Sequence, residues 1–229
     1  MPALKGALFS PDAKLQNSKP NIVVFQFNPE RVTRTPTLVQ QSRPSDGAGS
    51  RDARQQPAAP GESISFSLRL DATDQLAAGG QPTAAQYGIL PALSALELMM
   101  IPRGLRVNLA AMSGDPKKPY TNPPARLPTV LFFWGGFRLL PVTISSLQIT
   151  ETEYDMQLNP VRAEVTVTLQ VLTPSQFPRD AAAVGDAYYQ YQHALETMAA
   201  LHADNLASEP GTKDTLAVDI VAKSLKQMG

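Results

Sequence analysis

Val161-Arg162-Ala163-Glu164-Val165-Thr166-Val167-Thr168-Leu169-Gln170-Val171-Leu172 is the stretch that decides the fold class. Val161, Ala163, Val165, Val167, Leu169 and Val171 take every second position, and Arg162, Glu164, Thr166, Thr168 and Gln170 fill the gaps. A period of two sends the first set to one face of a strand and the second to the other, so the strand is half core and half wet. Ile64, Phe66, Leu68 and Leu70 alternate in the same way with Ser65, Ser67 and Arg69. Strands with one solvated face belong to antiparallel sheets, because parallel sheets are covered on both faces. Further strands are expected at residues 22–27, 105–110, 130–134 and 137–149. Between the last two, Gly135-Gly136 reads as a two-residue hairpin turn, since glycine accepts the positive φ such turns need. The expected fold is mainly β with flanking helices.

Outside the strands the period changes. Ile89, Leu93, Leu96 and Met100 fall at three- and four-residue steps within residues 84–101, which predicts a helix closing the sheet. Pro91 either kinks it or sits in its first turn, depending on whether the helix starts near Gly88. Residues 41–61 hold Pro44, Gly47, Gly49, Pro57 and Pro60 and almost no large apolar side chain, so a long loop is expected there. Proline density makes residues 114–128 a second, stiffer loop. After Pro174 and Pro178, Val184, Tyr188, Tyr191, Leu195, Met198 and His202 recur every three or four residues, the seam of two packed helices. A last helix is expected at 216–228. The organisation is thus a β domain over residues 1–173 and a helical C-terminal extension over 174–229.

Composition narrows the function. Twenty Lys plus Arg balance twenty Asp plus Glu among 229 residues, so the summed field gives no reason to expect nucleic acid as partner. There is no cysteine, which excludes disulfides, zinc-thiolate sites and a thiol nucleophile. The first ten residues lack the apolar run of a signal peptide and no later stretch reaches the length of a membrane span, so synthesis in the cytoplasm without membrane insertion is expected. His193 and His202 lie nine apart, about 180° around one helix, and cannot share a metal there. Glu151, Glu153 and Asp155 alternate and could gather carboxylates for calcium or acid-base work, as in a carbohydrate-binding or hydrolytic module. The plainer reading is a solvated strand edge, because acidic residues commonly guard edges. Asp71 and Asp74 fit turn formation and helix capping. Asp46-Gly47-Ala48-Gly49-Ser50 lacks the lysine of a phosphate loop, and no nucleophile elbow, zinc-protease or dinucleotide motif occurs. No catalytic residue, cofactor or metal is therefore expected, and the chain reads as a structural part of an assembly. The Tyr188, Tyr191, Leu195, Met198 stripe either lies on the chain's own sheet or forms an assembly interface.

Several motifs occur in an order that carries a resemblance. Phe25-Gln26-Phe27-Asn28-Pro29-Glu30, then Ile64 to Asp71, then the helix around Leu93 to Glu97, then Pro128 to Gly135 with Trp134, then Pro141 to Ala163, together resemble the N-terminal tube-type domain of contractile injection system baseplate hub proteins. The resemblance spans roughly residues 5–172. It implies an antiparallel β-sandwich or barrel like that of tube proteins, in a phage-tail-like particle assembled in the bacterial cytoplasm. It further implies a ring of copies of itself, a hexamer, joining an inner tube protein to a spike protein and meeting baseplate wedge proteins. Phe25, Phe27, Asn28, Pro29, Trp134 and Gly135 would then be structural: the aromatics fill core, and Asn28-Pro29 turns the chain out of its strand. Many relatives continue into a lysin-motif domain, of which only Asp214-Thr215-Leu216 is a faint echo, so none is expected here. An inner-tube subunit or tube terminator is the alternative within the machine.

Overall fold

The computed structural model describes residues 4–14, 19–38, 60–77, 82–102, 126–177 and 182–208. Among these residues seven strands form one sheet: β1 Ala7–Lys14, β2 Pro20–Val24, β3 Val32–Thr37, β4 Gly61–Asp71, β5 Val130–Phe133, β6 Leu139–Tyr154 and β7 Pro160–Val171. Their spatial order is β2-β1-β5-β6-β7-β4-β3, and every pairing is antiparallel. The two strands that alternate most strictly, β4 and β7, pair with each other from Glu62↔Val171 to Asp71↔Arg162 and form the sheet's longest unbroken ladder. Their apolar positions, Ile64, Phe66, Leu68, Val165, Val167 and Leu169, are buried on one face, as the period of two requires.

The sheet curls until its ends meet. Phe25, at the end of the outermost strand β2, has its ring centroid 5.5 Å from that of Phe66 on β4, almost at the other end of the strand order. Phe66 stacks on Phe132 at 5.4 Å, and Phe132 on Trp134 at 6.2 Å, so four aromatic rings fill the inside of an open barrel. Three short helices follow β4: α1 Thr73–Ala77, α2 Pro82–Tyr87 and α3 Leu90–Leu98. The single helix expected over 84–101 is broken at Gly88, whose φ of +54° ends α2, and Pro91 sits in the first turn of α3. Leu93, Leu96 and Met99 of this region are buried in the core, and the buried Asn21 of β2 donates Nδ2 to the Ala95 carbonyl at 2.7 Å. After a 3-10 turn at Pro174–Gln176, the long helix α4 runs Ala182–Ser208.

Other expectations are adjusted by the structure. The β5–β6 connection is not a two-residue turn: the Trp134 N–H donates to the Arg138 carbonyl at 2.8 Å, leaving three residues, Gly135 to Phe137, outside the pairing. Gly135 still takes the positive φ, +74°. β6 begins at Leu139 and runs on to Tyr154, because β7 gives it a partner along that length. Gly61 of the expected long loop already belongs to β4. The expected strand at 105–110, the helix at 216–228 and most of both loops lie outside the described residues.

Candidate assembly surfaces

The motif Phe25 to Pro29 works as a clamp across the seam of the barrel. Gln26 donates Nε2 to the Asp71 carbonyl at 2.7 Å and accepts the Asp71 N–H on Oε1 at 3.0 Å. One side-chain amide thus makes the pair of bonds that a neighbouring strand residue would make. Asn28 does the same on the other side, accepting the Gly6 N–H at 2.9 Å and donating to the Leu4 carbonyl at 2.8 Å. Phe25 goes inward and is 1% exposed, but Phe27 is 46% exposed, so only one of the two aromatics fills core. The reason is that β2 ends at Val24 and the chain bends at Gln26 and Phe27, so strand alternation no longer sets Phe27 on the side of Phe25, and Phe27 is left on a cleft of about 870 Å³ beside Arg31, Arg69 and Glu164. Gln26 was not singled out from the sequence, where the signal was two amides spaced two apart. Gln26→Glu keeps the acceptor for the Asp71 N–H but sets oxygen against the Asp71 carbonyl. It is expected to cost about 1–3 kcal/mol, read as a lower urea midpoint; an unchanged midpoint would remove the clamp's role.

Within the cleft, β4 has an open edge. Ala72 N–H bonds the Val161 carbonyl at 2.9 Å, so the alternate residues Asp71 and Arg69 turn their backbone groups away from β7. Gln26 occupies those of Asp71, while those of Arg69 face the cleft with no strand opposite among the described residues. A longer edge without a partner strand among the described residues runs along β6, which β5 covers only from Leu139 to Val142.

The acidic residues do not converge. Glu151 accepts the Tyr154 hydroxyl at 3.1 Å, Glu153 takes Arg162 at 2.5 Å, and Asp155 lies in the hairpin loop, accepting the Gln157 and Asn159 N–H groups at 2.8 Å. The Asn159 side chain, foremost, holds the Asp155 carboxyl below its ordinary range. Asp71 accepts the Thr73 N–H and hydroxyl at the start of α1 and pairs with Arg162 at 2.9 Å; the Thr73 hydroxyl is the main cause of its lowered pKa. Both histidines are exposed on α4. Among the described residues no group of three or more His, Asp or Glu could hold a metal ion, and no helix is long and apolar enough to cross a membrane.

Helix α4 divides the predicted stripe in two. Val184, Ala187, Tyr188 and Tyr191 are buried, with Tyr188 edge-on to Phe177 at 5.5 Å. Tyr191 accepts a hydrogen bond from Arg34 of β3, whose Nε also donates to the buried Glu62 carboxylate at 2.5 Å. Burial first, and Glu62 next, push the Tyr191 hydroxyl pKa up, while hydrogen bonding to Glu62 chiefly raises that of Arg34. Beyond Tyr191 no residue up to Ala203 is buried: Leu195 is 48% exposed and Met198 38%.

The outer face of the sheet is also in two parts. Over β7, β4 and β3 it is a carpet of hydroxyls and charges, with cross-strand rows such as Thr33-Ser65-Thr168-Ser146. Over β2, β1, β5 and the start of β6 it is apolar. Two rows, Val24-Ala7-Phe133-Leu139 and Ile22-Phe9-Leu131-Pro141, cross all four strands on the side opposite the core. Ile22 is 50% and Val24 57% exposed. These strands read as near-continuous apolar runs, the composition of strands covered on both faces.

The family model described as contractile injection system tube protein matches residues 7–176. No curated protein matches the chain.

Proposed function

Since the chain belongs to the contractile injection system tube protein family, we propose that it is the baseplate hub, or tube initiator, of such a machine. It forms a six-subunit ring that joins the inner tube to the spike and anchors the surrounding wedge proteins. The observation that carries this reading is the combination, among the described residues, of β-edges without a partner strand and apolar rows on the outer face of the sheet, with Ile22 and Val24 exposed. A monomer gains nothing from such surfaces, and they become assets only when other subunits cover them. The hub is favoured over the repeating subunit by α4, which extends beyond its own sheet after Tyr191. A protein that stacks on copies of itself at both ends has to fit such an arm into every layer.

The alternative, an inner-tube subunit or a terminator, is supported by the family description itself. Copy number separates a ring of fixed size, hub or terminator, from the repeating subunit, and labelling which end of the particle carries the chain separates hub from terminator. Quantifying this chain in purified particles of differing tube length should give a constant small number per particle for the hub. A number that grows with tube length would make it the tube subunit, and its absence from the particles would overturn both.

A further inference from the structure

Helix α4 lies against β6, yet Tyr191 accepts a hydrogen bond from Arg34 of β3, three places away in the strand order. Arg34 stands opposite Ile64, and Glu62 lies two residues before Ile64 on β4, so all three side chains share the core face. Arg34 Nε donates to the Glu62 carboxylate at 2.5 Å, and its guanidinium carbon lies 5.9 Å from the centre of the Tyr191 ring. One cation therefore joins β3, β4 and α4. Among the described residues, β3 has little else to hold it inward. None of its six residues is buried, β4 is its ladder partner, and towards the core it offers Arg34 and the half-buried Val32.

We propose that the docking of α4 and the pairing of β3 form one cooperative unit linked through Arg34, so that α4 is a strap over the strand at this end of the sheet. With α4 in place, the Arg34–Glu62 pair is shielded from water. With α4 lifted it becomes an exposed ion pair, and such pairs contribute little. Loss of β3, conversely, leaves the Glu62 carboxylate without its cation beside Tyr188 and Tyr191, and a covered charge without a partner is costly. Each element thus raises the cost of losing the other, and coupling of this kind is reciprocal. Anything that seats or pulls α4 is then felt at β3. The inference holds whichever part of a tube machine the chain forms.

Hydrogen exchange of the full chain, read by mass spectrometry, tests the unit from both ends. Val184→Asp puts a charge where α4 is 2% exposed, about two helical turns from Tyr191. Ser63, in step with Asp71 and Arg69, turns its backbone groups from β7 towards β3, so Thr35→Pro opposite it deletes a ladder donor. Exchange is expected to be at least about tenfold faster at residues 32–37 for Val184→Asp and at residues 184–191 for Thr35→Pro, with β7 within about twofold of the unmodified chain. In an Arg34→Met background, Val184→Asp should leave β3 at the rate that background already has. Acceleration confined to the mutated element overturns the unit. So does an undiminished effect of Val184→Asp in the Arg34→Met background, or a β3 already unprotected in the unmodified chain. If β7 accelerates as well, Val184→Asp has unfolded the whole chain. Tyr191→Phe, which keeps the ring and deletes the hydroxyl, then takes its place, with the same expected and overturning results.

Discussion

Gly88→Ala is expected to be among the most damaging single-methyl changes in this protein, with a loss of about 2–5 kcal/mol measured by urea unfolding. Two separate costs add. At φ +54° an L side chain meets its own backbone, worth about 1–2 kcal/mol. The added Cβ would also stand 2.1 Å from the Pro160 carbonyl oxygen, and a backbone atom cannot rotate away as a side chain could. Overpacking of this kind costs about 1–3 kcal/mol or more. That same carbonyl receives the Ile89 N–H at 2.8 Å, and Asn159 Nδ2 donates to the Gln86 carbonyl at 3.1 Å, so the corner between α2 and α3 is stapled to the base of the β6–β7 hairpin. Relief of the clash would break the staple. Gly135→Ala separates the two costs: its φ is +74° but nothing lies within 4 Å of its Cβ, so only the conformational part, about 1–2 kcal/mol, should appear. Equal losses at the two glycines would show that the contact with Pro160 is not the cause.

The second large effect is expected at Phe25. Phe25→Ala should cost about 3–5 kcal/mol, because the ring is 1% exposed and its neighbours are themselves rings that cannot collapse into the space. Phe66 is 5.5 Å and Trp134 6.3 Å away, centroid to centroid. Gly6 presses on the same rings, with a built Cβ only 2.6 Å from Phe25 and 2.7 Å from Trp134, so the seam closes on this residue from β1 as well as from β4. Phe27→Ala, two residues away in the same motif, should change stability by less than about 0.5 kcal/mol, since Phe27 is 46% exposed. Paired urea melts read the contrast directly, and similar losses for both would mean that Phe27 carries more of the core than its exposure allows. A Phe27→Ala chain that folds normally and fails to enter particles would assign that ring to an interface.

Much of the architecture was legible because period two is a local property. The alternation in β4 and β7 fixes which residues share a face, and a strand that shares one apolar face must pair in a half-wet antiparallel sheet. The break near Gly88 and the placement of Pro91 in a first turn were likewise open to reading, since glycine and proline act on their own φ. The order of motifs along the chain placed it in its family. Period alone, however, does not say what lies against each face. Phe25 and Phe27 both carry large rings in the motif, and only the curl of the sheet puts one inside and the other on a cleft. Tyr191 and Leu195 belong to one helical seam, and only the extent of the sheet beneath α4 buries the first and bares the second.

The same limit governs the part of the sequence read as structural from the outset. Its strands, its helices and its lack of catalytic patterning follow from residue type and spacing. The clamp by Gln26 and Asn28, the meeting of Gly88 with Pro160, and the division of the outer sheet into a hydroxyl face and an apolar face join residues tens of positions apart. Those were decided by the tertiary structure, because hydrogen bonds and van der Waals contacts act over a few ångströms of space, and distance along the chain does not determine which groups come within that reach.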